Sequence, residues 1–287
     1  MSEKIKLVFP SPGPFHVLDQ EVSSRIDFKD DIDSGLNLKA SRELKNLMFT
    51  VNIAKEPALY YKGNITFTPR DDLVVETSIN NEKMVDLSIQ HRIKETTLNL
   101  FLESYNKSIS GMSTVQWDNN KTHMEVKAIS QDGGMFGLSV HHALTQQLSA
   151  GFEGFFKVAQ KSGGGSIGGR YRNFIFGNHT YEICSTYNVM GDLSLSNCFS
   201  IVPKFLSLAT RFNINTSSME SSFELGTQIL HSLNIHNHEI PLCLKLRTDS
   251  KKQNGISFDV ATPIGGITLG LFGTGTKLNN YGINLNI

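Results

Sequence analysis

The sequence predicts an all-β fold: a closed transmembrane β-barrel of about 19 strands, with a short N-terminal helix inside or at the mouth of the pore. Two observations point there. From about residue 33 to the end, apolar and polar residues alternate with a period of two. Turn-forming pairs interrupt that alternation at short spacing, and the alternation never shifts to a helical period after residue 32. The chain therefore divides into residues 1–32, an N-terminal segment, and 33–287, the barrel.

In the N-terminal segment, Pro10, Pro12 and Pro14 precede Phe15, Leu18, Val22 and Ile26. Spacings of three and four place those four apolar residues on one stripe of a helix over about 15–28. The pattern fits a helix packed on a core, lying on a membrane, or held inside a pore.

Beyond that segment the alternation is strand-like. Leu47, Phe49, Val51 and Ile53 form one apolar face, and Val85, Leu87 and Ile89 form another opposite Asp86, Ser88 and Gln90. Leu98, Leu100 and Leu102 oppose Asn99 and Glu103. Leu148, Ala150 and Phe152 oppose Ser149, Gly151 and Glu153. Leu193, Leu195, Phe199 and Ile201 oppose Ser194, Ser196, Cys198 and Ser200, and Leu242, Leu244 and Leu246 oppose Cys243, Lys245 and Arg247. Successive strand side chains point to opposite faces, so every segment has a greasy and a wet side. Turns are expected at Asn80-Asn81, Asn119-Asn120, Asp132-Gly133-Gly134, Gly163-Gly164-Gly165, Gly191-Asp192 and Asn254-Gly255, among others. A count of 18 breaks leaves 19 strands, and roughly 12–15 residues per strand and turn gives about 17–21 over the same length.

So many strands either split into packed sheets or close on themselves. A soluble sandwich would pack the apolar faces together. A membrane barrel turns them to lipid, where an open strand edge is too costly to leave unpaired. The longest apolar run is four residues, Ala58 to Tyr61, far short of the ~20 a spanning helix needs. The 27 basic and 27 acidic residues cancel, which argues against a nucleic-acid partner. Three cysteines make no disulfide framework, and no N-terminal apolar run resembles a secretion signal.

The end of the sequence favours the membrane barrel. Asn280, Gly282, Leu285 and Ile287 give a polar residue, a glycine two later, and hydrophobic residues five and seven later. This spacing resembles the β-signal of mitochondrial outer-membrane barrels. Two further stretches carry a wider resemblance. Ser11-Pro12-Gly13-Pro14-Phe15 is similar to an Asn-Pro-Gly start with Ser11 in place of Asn, and His142 to Glu153 is similar to a Thr-x-x-Leu-x-x-Gly-x-Glu segment. Gly168-Gly169-Arg170-Tyr171 then resembles an Ala-Arg-Tyr strand. Together they resemble the pore-forming subunit family of the mitochondrial outer-membrane protein translocase, within the mitochondrial porin superfamily.

That resemblance implies 19 strands with the first and last pairing in parallel, an N-terminal segment inside the lumen, and passage of unfolded precursor proteins and presequences. It implies an outer-membrane location in a mitochondrion or related organelle. The implied partners are small single-helix subunits, a receptor subunit, membrane lipids, and a second barrel in a dimer or higher oligomer. Acidic lumen residues would attract basic presequences, with Glu76, Asp86, Glu103, Glu125, Glu153, Glu224 and Asp259 as candidates. The acidic run Asp27, Asp30, Asp31 and Asp33 is a candidate pore-mouth feature. A voltage-dependent metabolite porin of the same superfamily is the alternative; the neutral net charge and the absence of a Gly-Leu-Lys motif favour the import channel. A soluble β-rich binding or structural protein is the third reading.

No enzyme, cofactor or metal is expected. Residues Gly163–Gly168 match G-x-G-x-x-G, but Gly169-Arg170-Tyr171-Arg172 reads as strand and not helix, so a hairpin loop is predicted at the glycines. His141 and His142 are adjacent and face opposite sides of a strand. His236 and His238 share a face across a turn, and Cys198 has no neighbouring base.

Overall fold

The computed structural model describes residues 12–28, 32, 35–55, 59–106, 108–175, 179–201, 205–235, 238–262, 265–275 and 277–287. Nineteen strands make one continuous sheet. They are β1 (Gly35–Leu44), β2 (Leu47–Lys55), β3 (Leu59–Arg70), β4 (Leu73–Asn80), β5 (Val85–Ile93), β6 (Thr96–Tyr105), β7 (Ser108–Asp118), β8 (Thr122–Ile129), β9 (Met135–Ala143) and β10 (Leu148–Lys157). The series continues with β11 (Ser162–Ile175), β12 (His179–Asn188), β13 (Asp192–Ile201), β14 (Leu206–Asn215), β15 (Ser221–Ile235), β16 (His238–Asp249), β17 (Gln253–Thr262), β18 (Gly265–Thr274) and β19 (Lys277–Asn286).

Each strand pairs antiparallel with the next, and β1 closes the sheet by pairing parallel with β19. An odd number of alternating strands leaves no other choice, because the first and last run the same way. In that seam Gly35 lies beside Gly282 and Lys39 beside Asn286. Asn37 Nδ2 donates to Asn284 Oδ1 across it at 3.0 Å, on the lumen side. The predicted 19 strands and parallel closure are both present.

Register and exposure together decide which face points where. Leu195, Leu208, Phe212, Phe223 and Ile256 lie on the outside, each more than a third exposed. By contrast Ser196, Ser207, Glu125, Glu182 and Ser257 are buried inside. The oily faces therefore turn out, as in a membrane barrel, and the sandwich reading fails: the sheet closes on a polar interior.

Three local expectations need correction. The helix predicted over 15–28 is a 3-10 turn at Phe15–Val17 followed by a short α-helix, α1, at Gln20–Ile26. The break falls at Leu18–Asp19, where the Asp19 carboxylate is drawn to a wall arginine and does not cap its own helix. The apolar stripe nonetheless holds: Phe15, Leu18, Val22 and Ile26 are all buried. Gly163–Gly168 is no hairpin loop but part of β11, paired to β10 from Ser162↔Lys157 onward. A side chain at Gly164 would strike the Phe155 ring at 2.8 Å, so glycine there serves packing and not turning. Likewise Asn254-Gly255 lies within β17, and the bend comes earlier at 250–251. Gly255 makes room for Phe272, whose ring would lie 2.9 Å from an added Cβ.

Candidate functional site

The lumen is crossed by the N-terminal segment. Because odd strands end where even strands begin, the turns β7–β8 and β9–β10 share one mouth of the barrel. Pro12 lies against residues of both turns, including Lys121 and Gln147. Ile32, by contrast, clusters with Phe28 and Phe272 close to the end of β18, in the half that opens at the other mouth. The described segment thus runs from one mouth towards the other along the inner wall.

Contacts fix it at several points. At its start, Arg170 Nη2 donates to the Pro12 carbonyl at 2.9 Å and His141 Nδ1 to the Gly13 carbonyl at 2.9 Å. Ser149 Oγ lies 2.9 Å from His141 Nε2 and, by donating to it, fixes the tautomer that leaves Nδ1 as the donor. Phe15 stands edge-on to the His141 ring. Its own ring needs the bare backbone of Gly151, since a Cβ there would meet Phe15 Cδ2 at 2.7 Å. Further along, Cys184 Sγ donates to the Leu18 carbonyl at 3.3 Å. Val22 and Ile26 then pack with Cys198 and Ala209 in a small apolar cluster. Burying an aliphatic side chain of this size contributes about 1.5–3 kcal/mol.

Charge completes the docking. Arg211 on β14 reaches Asp27 through both terminal nitrogens at 2.9 and 2.8 Å, and Nη2 also meets Asp19 at 3.1 Å and Ser23 Oγ at 2.7 Å. Glu224 on β15 sits between Arg211 at 3.2 Å and Arg247 at 3.3 Å, and Arg247 donates to the Ile26 carbonyl at 3.1 Å. Gly226, next on the same face, is where α1 touches the wall: an added Cβ would lie 2.5 Å from the Arg25 carbonyl oxygen.

All seven predicted acidic residues lie on the lumen face, but in different settings. Glu224 is engaged by Arg211 and Arg247 beneath the N-terminal segment. Glu125 is buried and ion-paired with Lys127 at 2.7 Å. Glu153 lines the same recess as His16 and Lys157. Asp259 faces Cys243 across β16–β17. Glu76, Asp86 and Glu103 gather on β4–β6, a wall that the segment does not cover: Asp86 and Glu103 are direct cross-strand neighbours, and Glu76 is one step further along the same face. Asp86 is held by Lys62 at 2.9 Å and Ser78 at 2.7 Å. Of the acidic run, Asp27 is the docking partner of Arg211; Asp30, Asp31 and Asp33 lie outside the described residues, as does His236.

At the closing strand, Asn280 and Gly282 face the lumen by register, whereas Leu285 and Ile287 continue the outward face. The arginine that anchors the segment, Arg211, was not among the sequence-predicted residues. Its only signal was a basic residue on a wet face opposite Glu224, a pattern shared by several strands.

A closed sheet with lipid-compatible walls and a polar lumen defines a transmembrane β-barrel channel. Residues 18–234 match the family model for the eukaryotic porin, and the chain belongs to that family. No curated protein matches it.

Proposed function

We propose that the barrel is the protein-conducting channel of the outer membrane of a mitochondrion or mitochondrion-related organelle. The observation that carries this reading is the acidic arc of Glu76, Asp86 and Glu103 on the uncovered wall. Among the described residues Lys62 is the one cation bonded to it, so the arc keeps an excess negative charge. Glu76 and Glu103 make no ion pair with any described residue. A basic, extended presequence is attracted by such a surface, and the surrounding serines, threonines and asparagines offer it exchangeable hydrogen bonds without a deep well. The polar groups of the docked side are engaged by the N-terminal segment, which leaves β3–β7 as the wall for a passing chain.

A metabolite porin of the same family is the competing reading, and it calls for a lumen that favours anions. Purified barrel in planar bilayers separates the two. Cation preference with block by a basic presequence peptide supports the import channel. Anion preference with nucleotide passage and no peptide block overturns it.

A further inference from the structure

One polar side chain stands where the barrel meets lipid at mid-depth. Asn197 is the sixth of ten residues in β13, between Ser196 and Cys198, which are buried on the lumen side. Strand alternation therefore turns Asn197 outward. Its cross-strand neighbours are Ile183 on β12 and Thr210 on β14, and Leu225 follows on β15. Ile183, Leu195, Leu208 and Leu225 around it are all exposed on the outer face. Asn197 forms no hydrogen bond with any described residue. Arg42, Lys55, Asn173 and Asn254 share the outer face but stand within two residues of a strand end, where water is in reach. Asn197 is four residues from the nearer end of its strand. A carboxamide carries two donors and an acceptor, and hydrocarbon answers neither. The Thr210 hydroxyl can meet one of these needs at a time. The group is therefore costly to leave alone in the bilayer.

We propose that Asn197 is the centre of an interface between two copies of this barrel, related by a two-fold axis along the membrane normal. Such an axis keeps both copies in one orientation in the bilayer and sets this residue of one copy against the same residue of the other. The carboxamide is complementary to itself: each Nδ2 donates to the other's Oδ1, so both acceptors are satisfied. Self-complementarity favours a second copy over a membrane helix, which would have to bring its own polar residue to the same depth. Apolar surfaces in lipid have no hydrophobic drive to associate, so polar pairs and close packing select which faces meet. Here the aliphatic side chains of Ile183, Leu195, Leu208 and Leu225 rim the amide and supply that packing. A single buried asparagine fixes partner and register in coiled coils in the same manner. The pairing uses the outer surface alone, so it holds whatever passes through the lumen.

Two measurements on the purified full-length barrel test the interface. In phosphatidylcholine vesicles, Asn197→Cys should give a disulfide-linked dimer on oxidation with copper phenanthroline. Ile65→Cys, exposed on β3 at the opposite side of the barrel, should not. The natural Cys184, Cys198 and Cys243 face the lumen and cannot reach another barrel, so they add no background. Sedimentation equilibrium in density-matched detergent then reads the dimerisation constant. Asn197→Leu should weaken it about tenfold, while Ser113→Leu, an outer-face change on β7, should leave it unaltered. The urea midpoint of Asn197→Leu should stay at or above that of the wild type, which separates a lost contact from a damaged fold. Should leucine upset the fold, the cysteine comparison still decides the placement. Equal cross-linking of Asn197→Cys and Ile65→Cys, or a wild type that stays monomeric, overturns the interface. A folded Asn197→Leu that dimerises as tightly as the wild type overturns the amide pair.

Discussion

Arg211 holds Asp27 through two parallel hydrogen bonds of 2.9 and 2.8 Å, joining the barrel wall to the end of α1. A forked guanidinium matches a carboxylate in both direction and spacing, which a single charge does not. The pair joins residues 184 positions apart, so it constrains the lumen segment far more than any contact within that segment.

Replacing this arginine should release the segment. Arg211→Gln removes the fork and leaves Asp19 and Asp27 without their shared cation. With Asp27 partly exposed, the loss is at the low end for charge-assisted bonds, about 1.5 kcal/mol, or about tenfold in the undocked population. Cys184 and Cys198 lie beneath the segment and are buried while it is docked. Their labelling by a maleimide should accelerate about tenfold in the variant; an unchanged rate contradicts the docking role.

Neutralising the acidic arc should change selectivity. Glu76→Gln with Glu103→Gln removes two lumen charges that form no ion pair with any described residue. The reversal potential in a salt gradient should move toward anions, and the shift should be greater at 0.1 M than at 1 M salt, where screening reaches only about 3 Å. A shift independent of salt would mean the two glutamates act through structure and not through their charge.

The two faces of one strand should respond oppositely to the same substitution. Leu195 points outward and Ser194, beside an open recess with Thr186 and Asn213, points into the lumen. Leu195→Arg places a cation against lipid at a cost of up to about 2–4 kcal/mol, while Ser194→Arg stays in water. Urea midpoints in vesicles should fall for the first and stay near wild type for the second. The reverse order would place the membrane on the wrong side of the sheet.

Acid should loosen the segment. Burial holds His16 below its ordinary value near 6.5, so the docked state binds fewer protons than the undocked state below that pH. The His16 contribution to docking is therefore present above that range and is lost as pH falls through 6.5. Hydrogen exchange at Leu18 and Val22, corrected for its intrinsic pH dependence, should be faster at pH 5.5 than at 7.5. Equal corrected rates would exclude His16 as the sensor.

The architecture was legible because lipid imposes a rule on every strand. Alternations such as Leu193–Ile201 against Ser194–Ser200 report the greasy and wet faces directly, and the odd count then forces the β1–β19 seam. Two of the three errors arose at glycines. Gly163, Gly164, Gly165 and Gly255 look like turns in sequence, yet the fold uses them where a ring or a backbone carbonyl presses close. Packing of that kind depends on residues 8 to 17 positions away, and local pattern carries no trace of it. Arg211 was unreadable for a related reason: it unites the N-terminal segment with a strand more than a hundred residues downstream.

The threaded path of the described N-terminal residues has a topological outcome. Pro12 has crossed back to the side on which β19 finishes, so Pro12 and Ile287 face the same aqueous compartment although β1 begins on the opposite one. Reporters attached near both positions would answer to a single impermeant reagent together, and withdrawal of the segment from the lumen would separate their responses.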